Sequence, residues 1–346
     1  MSSILYWVLS ILLFGIMIIV HEFGHFGAAR LTGIGVVEFA VGIGPKLWSK
    51  ISRSGVRYSL RALPFGGYCR FVSEEDDGSS DRPDAYHKQA VWKRAFVSVG
   101  GPLMNLIVAF IVVFILLSTN TFFQVEPVVD NVVPSLPAEA AGFLPGDRII
   151  GVNGEEMEST GDISMAISEI LDREIAFDIE RDGQRMTLHA TPRWIESENA
   201  YMIGIYYRQT PVRYGFFEAL SQSVLTTGRM SRLLLDAFIS IVRGKEDISN
   251  LSGPIGTVVA IKEQTQQYGS VGYLNFAAFF GVNLAVFNLL PIPGLDGSKL
   301  IFLLIEKIRG KRIDPNKEGF VLLLGFGLLV VVMLLVIYQD IMRLIT

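Results

Sequence analysis

The sequence has little charge and almost no cysteine. Of its 346 residues, 18% are Asp, Glu, Lys or Arg, whereas soluble domains average about 25%. A single cysteine, Cys69, excludes an intrachain disulfide and any metal site built from several thiolates. The formal net charge of -4 gives no reason to expect a nucleic acid as partner. Half of the residues are hydrophobic, so the composition predicts a polytopic membrane protein with a soluble portion.

Four apolar stretches are each long enough to cross a bilayer, which takes about 20 helical residues. They cover residues 4–26, 97–117, 274–290 and 320–338. No basic residue precedes the first stretch and no small-residue cleavage site ends it, so we expect it to be retained rather than removed as a signal peptide. The sequence therefore predicts four transmembrane helices that hold the chain in a lipid bilayer.

The distribution of Lys and Arg predicts the orientation of these helices. Residues 30–94 and 299–317 are rich in both, and the first twenty residues contain neither. Because cytoplasmic loops carry an excess of positive charge, both basic loops are expected in the cytoplasm and both termini outside. The long region between the second and third helices is then extracytoplasmic.

The predicted domain organisation follows. Residues 1–120 form the first part of a membrane core, and residues 35–72, with strand-like runs and several glycines, form a membrane-associated β region between helices 1 and 2. Residues 121–210 read as a soluble α/β domain, with strand-like runs at residues 148–152 and 175–181 and a hairpin signal at Asp182-Gly183. Residues 211–270 are juxtamembrane and include an amphipathic helix. We expect this helix on the outer membrane surface, because charged residues divide its apolar stretch into parts too short to cross the bilayer. Residues 271–346 complete the membrane core.

The end of the first apolar stretch carries a metal-ligand pattern, His21-Glu22-Phe23-Gly24-His25. Positions i and i+4 of a helix share one face, so the two imidazoles can bind one zinc ion. Glu22 is close to that face and can take a proton from zinc-bound water. Ionisable residues inside a membrane are costly and usually functional, which favours a Zn²⁺ site over interfacial histidines.

A catalytic zinc needs a third protein ligand, and Asp296 is the candidate. It follows the third apolar stretch, among Pro291, Pro293, Gly294 and Gly297, which interrupt helices. Irregular backbone at membrane depth is tolerated where it lines a cavity. With both termini outside, His21, His25 and Asp296 all lie near the cytoplasmic ends of their helices, so we expect the active site on that side of the membrane.

Two asparagines are candidates for substrate contact. Asn288 lies two helical turns before Asp296, and its amide could bind the substrate carbonyl or the developing oxyanion. An interhelical hydrogen bond is the alternative. Asn105, in the second stretch, could contact substrate or water, although helix packing around Gly101 and Pro102 is the better explanation of that segment.

These motifs resemble the bacterial site-2 protease family of the RseP type. The resemblance covers His21-Glu22-x-x-His25, the run 101–105 (GPLMN), the run 288–297 (NLLPIPGLDG) and the loop 42–45 (GIGP). It implies a zinc metalloendopeptidase with His21, His25 and Asp296 as ligands and Glu22 as general base. The implied substrates are single-span membrane proteins, such as anti-sigma factors or remnant signal peptides. An upstream site-1-type protease trims them first, and the location is the bacterial cytoplasmic membrane.

The soluble region resembles a single PDZ domain. Residues 141–154 (AGFLPGDRIIGVNG) are similar to a PDZ core, and residues 201–205 (YMIGI) are similar to a carboxylate-binding loop. The resemblance implies that Ile203, Gly204 and Ile205 bind a peptide C-terminus. A steric filter that excludes bulky substrates without binding peptide is the alternative.

Two other functional classes remain open from the residues alone. An intramembrane zinc transporter or sensor would also use His and Asp, but transporters usually carry repeated halves, and no repeat is visible. A non-catalytic PDZ scaffold would retain tethered partners and need no metal. Metal binding together with cleavage of a single-span substrate separates these classes from a protease.

Overall fold

The computed structural model describes residues 3–73, 81–120, 122–157, 159–170, 172–196, 200–244 and 253–345. The chain forms two compact units. One comprises Met1–Ser118 together with Phe216–Thr346, and the other comprises Thr119–Gly215. The predicted soluble domain, residues 121–210, falls within the second unit.

Four long helices dominate the first unit: α1 (Ser3–Thr32), α2 (Val91–Thr119), α6 (Pro254–Leu289) and α8 (Pro315–Ile345). Their most apolar windows have mean hydropathies of 2.5, 2.5, 1.5 and 3.3, and within the described ranges no other helix is long and apolar enough to cross a membrane. The four long apolar helices that the sequence predicted are therefore present.

Helices α1 and α2 touch backbone to backbone at two glycines. A Cβ on Gly24 would overlap the carbonyl oxygen of Gly100, and a Cβ on Gly100 would lie 2.6 Å from the carbonyl oxygen of Gly24. Small residues permit such close helix contacts in membranes. Because Gly24 lies inside the His21–His25 motif, this contact brings the motif directly against α2.

Helix α6 is longer than the sequence predicted and is divided at Gly269. Gly269 has the non-helical angles φ 60° and ψ -137°. A Cβ on Gly272 would overlap the carbonyl oxygen of Gln264, so residues 254–268 fold back against residues 270–289. The predicted third span, residues 274–290, therefore corresponds only to the segment after Gly269. The predicted domain boundary between residues 270 and 271 lies at this bend.

Helix α5 (Phe216–Val242) packs lengthwise on the bundle. Met230 and Leu234 pack against a buried cluster of Ala109 in α2 and Val282 and Val286 in α6. The sequence predicted an amphipathic helix here that lies on the membrane surface. The amphipathic helix is present, and its apolar side is directed at two long helices.

The region between α1 and α2 folds as a twisted hairpin of β1 (Val36–Ile51) and β2 (Arg57–Phe71). Residues 36–41 of β1 lie in the middle, paired on one side with residues 67–71 and on the other with residues 57–60. Residues 67–71 therefore form an edge strand of this sheet.

The second unit is an antiparallel sheet with two short helices. Its elements are β3 (Phe122–Val132), α3 (Pro137–Ala140), β4 (Arg148–Val152), β5 (Glu155–Glu156), α4 (Thr160–Ile170), β6 (Ile175–Arg181), β7 (Gln184–Ala190), β8 (Arg193–Ile195), β9 (Ala200–Met202) and β10 (Ile205–Val212). The order of strands in the sheet is β10-β3-β4-β6-β7, with β5 paired to β4 and a separate β8-β9 pair. The core contains Ile149, Ile163 and Phe177, each at most 1% exposed.

Candidate metal centre

The two histidines of the motif point to one spot. One helical turn separates His21 from His25, and their Nε2 atoms lie 3.2 Å apart. The rings meet edge to face, with centroids 4.8 Å apart. The i and i+4 spacing predicted this convergence on a common face of α1.

Asp296 joins the histidines from a different part of the chain. Its Oδ2 lies 3.0 Å from His21 Nε2 and 3.2 Å from His25 Nε2. The irregular segment after α6 makes this possible: Gly294 has φ +100°, and the backbone at Leu295 is extended. Asp296 then opens helix α7 (Asp296–Arg309), so its carboxylate emerges at a defined helix end.

These three residues fit a zinc ion. Donors bound to tetrahedral zinc at about 2.0 Å are separated by about 3.3 Å, and the three donor atoms here are 3.0 to 3.2 Å apart. Within the described ranges, this trio is the one group of three that could hold a metal ion. Two imidazoles and one carboxylate leave a fourth position open, as catalytic zinc sites require.

Gly101 in α2 leaves space beside the donor atoms. A Cβ at this position would lie 2.5 Å from His25 Nε2 and 2.7 Å from His21 Nε2. Any larger residue would therefore intrude where the ligand atoms converge. The sequence suggested only a packing role for this glycine, since nothing in it reveals which residues α2 faces.

A cavity of about 910 Å³ opens onto the three residues. Its wall includes Glu22, Asn288 and residues 68–71 of the edge strand. Gly67 makes the edge strand fit against α1, because a Cβ there would lie 3.1 Å from Glu22 Cγ. Glu22 thus stands between the histidines and the edge strand, within a space large enough for an extended peptide segment.

The two predicted asparagines have different surroundings. Asn288 lines the cavity, and its side-chain amide donates to the carbonyl oxygen of Leu284 at 2.9 Å. Asn105 is fully buried, and its amide lies 3.3 Å from Nδ1 of His21.

Three groups near the site were not found from the sequence. The carbonyl oxygen of Val97 lies 2.7 Å from His25 Nδ1. Arg94 of α2 forms two hydrogen bonds with Glu306 of α7. A main-chain carbonyl has no sequence signature. Arg94 and Glu306 lie in the charge-rich segments 30–94 and 299–317, where the sequence gave no reason to choose them among the other charged residues.

A buried charge network stabilises the edge strand. Glu38, in the central strand, is 3% exposed and accepts hydrogen bonds from Ser59 at 2.6 Å and Arg61 at 3.3 Å, and Arg70 of the edge strand is 3.6 Å away. Burial alone would raise the pKa of Glu38, but hydrogen bonds from Ser59 and Tyr68 and the charge of Arg61 hold this pKa below its ordinary value.

The candidate peptide loop of the second unit precedes an edge strand. Ile203 is buried, Gly204 has φ +89°, and Ile205 begins β10 at the end of the sheet. The carbonyl oxygens of Ile203 and Gly204 accept hydrogen bonds from the backbone of Ala138 and Val133. The loop is thereby tied to the segment that follows β3.

The family model described as Peptidase family M50 matches residues 9–332. The "Regulator of sigma-W protease RasP" of Bacillus subtilis is 29% identical over 96% of this chain and 97% of its own length. A protein of Clostridium perfringens named as a zinc metalloprotease is 33% identical over 97% and 98%. A solved PDZ domain from Listeria monocytogenes is 18% identical and covers 24% of this chain and 88% of its own, with a TM-score of 0.22.

The match extends over almost the whole chain and includes the converging histidines and aspartate and the four membrane-length helices. The chain belongs to peptidase family M50, the site-2 protease family, and it is a multi-pass membrane protein that acts as a zinc metalloprotease in regulated intramembrane proteolysis.

Proposed function

We propose that this protein cleaves single-span membrane proteins within the bilayer at a site formed by His21, His25, Asp296 and Glu22. The observation that carries the proposal is the convergence of the first three at 3.0 to 3.2 Å inside a cavity that Glu22 also lines. Burying three ionisable groups among transmembrane helices is costly unless they share a ligand.

His21, His25 and Asp296 would hold the zinc. When bound, zinc supplies a Lewis acid that polarises the scissile carbonyl and lowers the pKa of its water. Glu22 follows His21 directly, and its carboxylate accepts the proton of the attacking water and later donates it to the leaving amide nitrogen. Asn288, which lines the cavity, would donate its remaining amide hydrogen to the substrate carbonyl oxygen.

The edge strand 67–71 would hold the substrate in an extended form. A helical substrate protects its amides by internal hydrogen bonds, so the cleaved segment must unwind. Residues 67–71 form an edge of their sheet, and residues 68–71 line the cavity that also contains Glu22. Strand addition there would present the unwound segment to the histidines.

The proposed location is the bacterial cytoplasmic membrane, with both termini outside and the active site near the cytoplasmic face. Two basic loops support this orientation. The substrates would be anti-sigma factors or remnant signal peptides, trimmed first by another protease. The relative named as a regulator of sigma-W protease supports the first class.

The second unit would act as a PDZ domain that receives a trimmed C-terminus. Strand β10 is an edge strand, and Ile203, Gly204 and Ile205 lie immediately before or at its start. A peptide added to β10 would end at this loop, whose backbone can bind a carboxylate.

The test is cleavage of a single-span reporter by purified protein in nanodiscs, with bound zinc measured by mass spectrometry. Glu22→Gln should retain zinc and lose more than about 99% of activity, since general-base catalysis contributes about 100-fold or more. His21→Ala should lose both. Glu263→Gln, at an exposed carboxylate in α6, is the matched control and should behave as wild type. Wild-type cleavage by the Glu22 variant would refute the proposed base.

A further inference from the structure

Asn105 of α2 is sealed inside the protein and contacts a proposed zinc ligand. Its exposed fraction is 0%, and its Nδ2 as placed lies 3.3 Å from Nδ1 of His21. The other end of the amide, Oδ1, is buried and has no hydrogen-bond partner among the described residues. A buried acceptor without a partner costs free energy, so this arrangement calls for an explanation.

The protonation that zinc binding requires of His21 explains the unpartnered oxygen of Asn105. Its Nε2 faces Asp296 and His25, so Nε2 is the atom that would bind zinc. A neutral imidazole that binds metal through Nε2 carries its proton on Nδ1, and Nδ1 is then a donor that needs an acceptor. The two ends of an amide are assigned from their hydrogen bonds rather than observed. Turning the Asn105 amide by 180° exchanges its Oδ1 and Nδ2. Oδ1 then lies against Nδ1–H of His21 and accepts a hydrogen bond from it.

His25 shows the same arrangement with a main-chain acceptor. Its Nδ1 lies 2.7 Å from the carbonyl oxygen of Val97, and its Nε2 faces Asp296. Val97 and Asn105 are both in α2, separated by about two helical turns. Helix α2 therefore offers one acceptor to each of the two imidazoles.

We propose that Asn105 is a positioning residue that accepts a hydrogen bond from His21 Nδ1–H and thereby fixes the tautomer and ring orientation that zinc binding requires. The proposal rests on the proposed zinc site. Because Asn105 is fully buried, we infer that it acts through His21 rather than on the substrate.

Zinc affinity provides the first test, measured by competition with a chelator in nanodiscs. Asn105→Leu keeps the shape but removes the acceptor, and it should weaken zinc binding by about 10- to 100-fold, the usual effect of losing such a partner. Asn105→Asp keeps an acceptor and should remain within about threefold of wild type. Asn283→Leu, which removes a half-buried amide of α6, is the control and should leave zinc affinity unchanged. Wild-type affinity in the Leu variant, or equal loss in both Asn105 variants, would overturn the proposal.

Nitrogen NMR of the histidine-labelled wild-type protein needs no variant that could misfold. The zinc-loaded protein should show a protonated Nδ1 and a metal-bound Nε2 for His21, and the reverse pattern would also overturn the proposal. At saturating zinc, Asn105→Leu should keep the wild-type KM, whereas loss of a substrate contact would raise KM. If the wild-type protein binds no zinc, the proposed function fails; if it binds zinc and cleaves while the Leu variant binds zinc equally, only this inference fails.

Discussion

Arg94 of α2 and Glu306 of α7 form a buried ion pair with two hydrogen bonds. The pair connects α2, which contacts both histidines, to α7, which begins with Asp296. The distances are 2.9 and 2.5 Å, and the side chains are 4% and 17% exposed. Glu306 lies three turns along α7 from Asp296. The ion pair therefore holds α7 against α2 in the orientation that directs the Asp296 carboxylate towards the histidines.

Replacing one partner of this pair should damage both stability and the metal site. Glu306→Gln leaves the Arg94 charge buried without its counterion, which costs about 3 to 5 kcal/mol. We expect a lower melting temperature and weaker zinc binding. The double variant Arg94→Met with Glu306→Leu removes both charges and should recover most of the stability. If the double variant does not recover stability, the pair must stabilise the fold by more than mutual neutralisation of its two charges.

Gly101→Ala should prevent metal binding while leaving the helix intact. The new Cβ would lie 2.5 Å from His25 Nε2, closer than any real contact, so one imidazole must move. We expect zinc occupancy below about a tenth of wild type, since correct ligand geometry is required for affinity. Gly327→Ala in α8 has no neighbour within 4 Å and is the matched control. Normal zinc content in the Gly101 variant would show that α2 does not need a glycine at this position to leave space for the histidine ligand atoms.

Gly24→Ala should disrupt the contact of α1 with α2, whereas Gly27→Ala should be harmless. A Cβ on Gly24 overlaps the Gly100 carbonyl oxygen, and a Cβ on Gly27 meets nothing within 4 Å. Overpacking typically costs about 1 to 3 kcal/mol, and Ala in a free helix position stabilises by up to about 1 kcal/mol. Thermal unfolding in detergent compares the two variants. Equal melting temperatures would contradict the close helix contact.

The β1–β2 hairpin should loosen at low pH through Glu38. Its pKa is lower in the folded than in the unfolded state, so its ionised form stabilises the fold above the unfolded pKa of about 4.3. That contribution is lost as the pH falls from there through the folded pKa. The protection of residues 67–71 against hydrogen exchange, relative to the intrinsic rate at the same pH, should therefore fall below about pH 4.

Glu38→Gln tests this assignment. The variant should be less protected in the same segment at pH 7, because Arg61 and Arg70 lose their shared counterion, and its protection should depend less on pH. Unchanged pH dependence would assign the transition to another group.

The sequence predicted local structure well. The Asp182-Gly183 turn has φ of 50° and 78°, as a tight hairpin requires, and it joins β6 to β7. The predicted runs 148–152 and 175–181 coincide with β4 and β6. Apolar length located the four long helices, because hydrophobicity along a chain is a direct property of its residues.

Other features could not be predicted from the same patterns. The reversal at Gly269 and the packing of α5 on α2 and α6 depend on contacts between distant segments. Glycines such as Gly24 and Gly101 have no pattern that identifies their neighbours. Their importance becomes visible only when the opposing backbone or imidazole is placed against them.

By itself the sequence determined the chemistry available to this protein: two imidazoles and a carboxylate on one helix, and an aspartate at the end of another apolar segment, because these follow from residue type and helical spacing. Only the tertiary structure decided that the three donor atoms meet within 3.2 Å. It also decided that α2 offers Val97 and Asn105 to the far sides of the imidazoles and that an edge strand lines the same cavity. The physical reason is that spacing specifies which side chains share a face, whereas the position of a face relative to distant segments depends on how the whole chain packs.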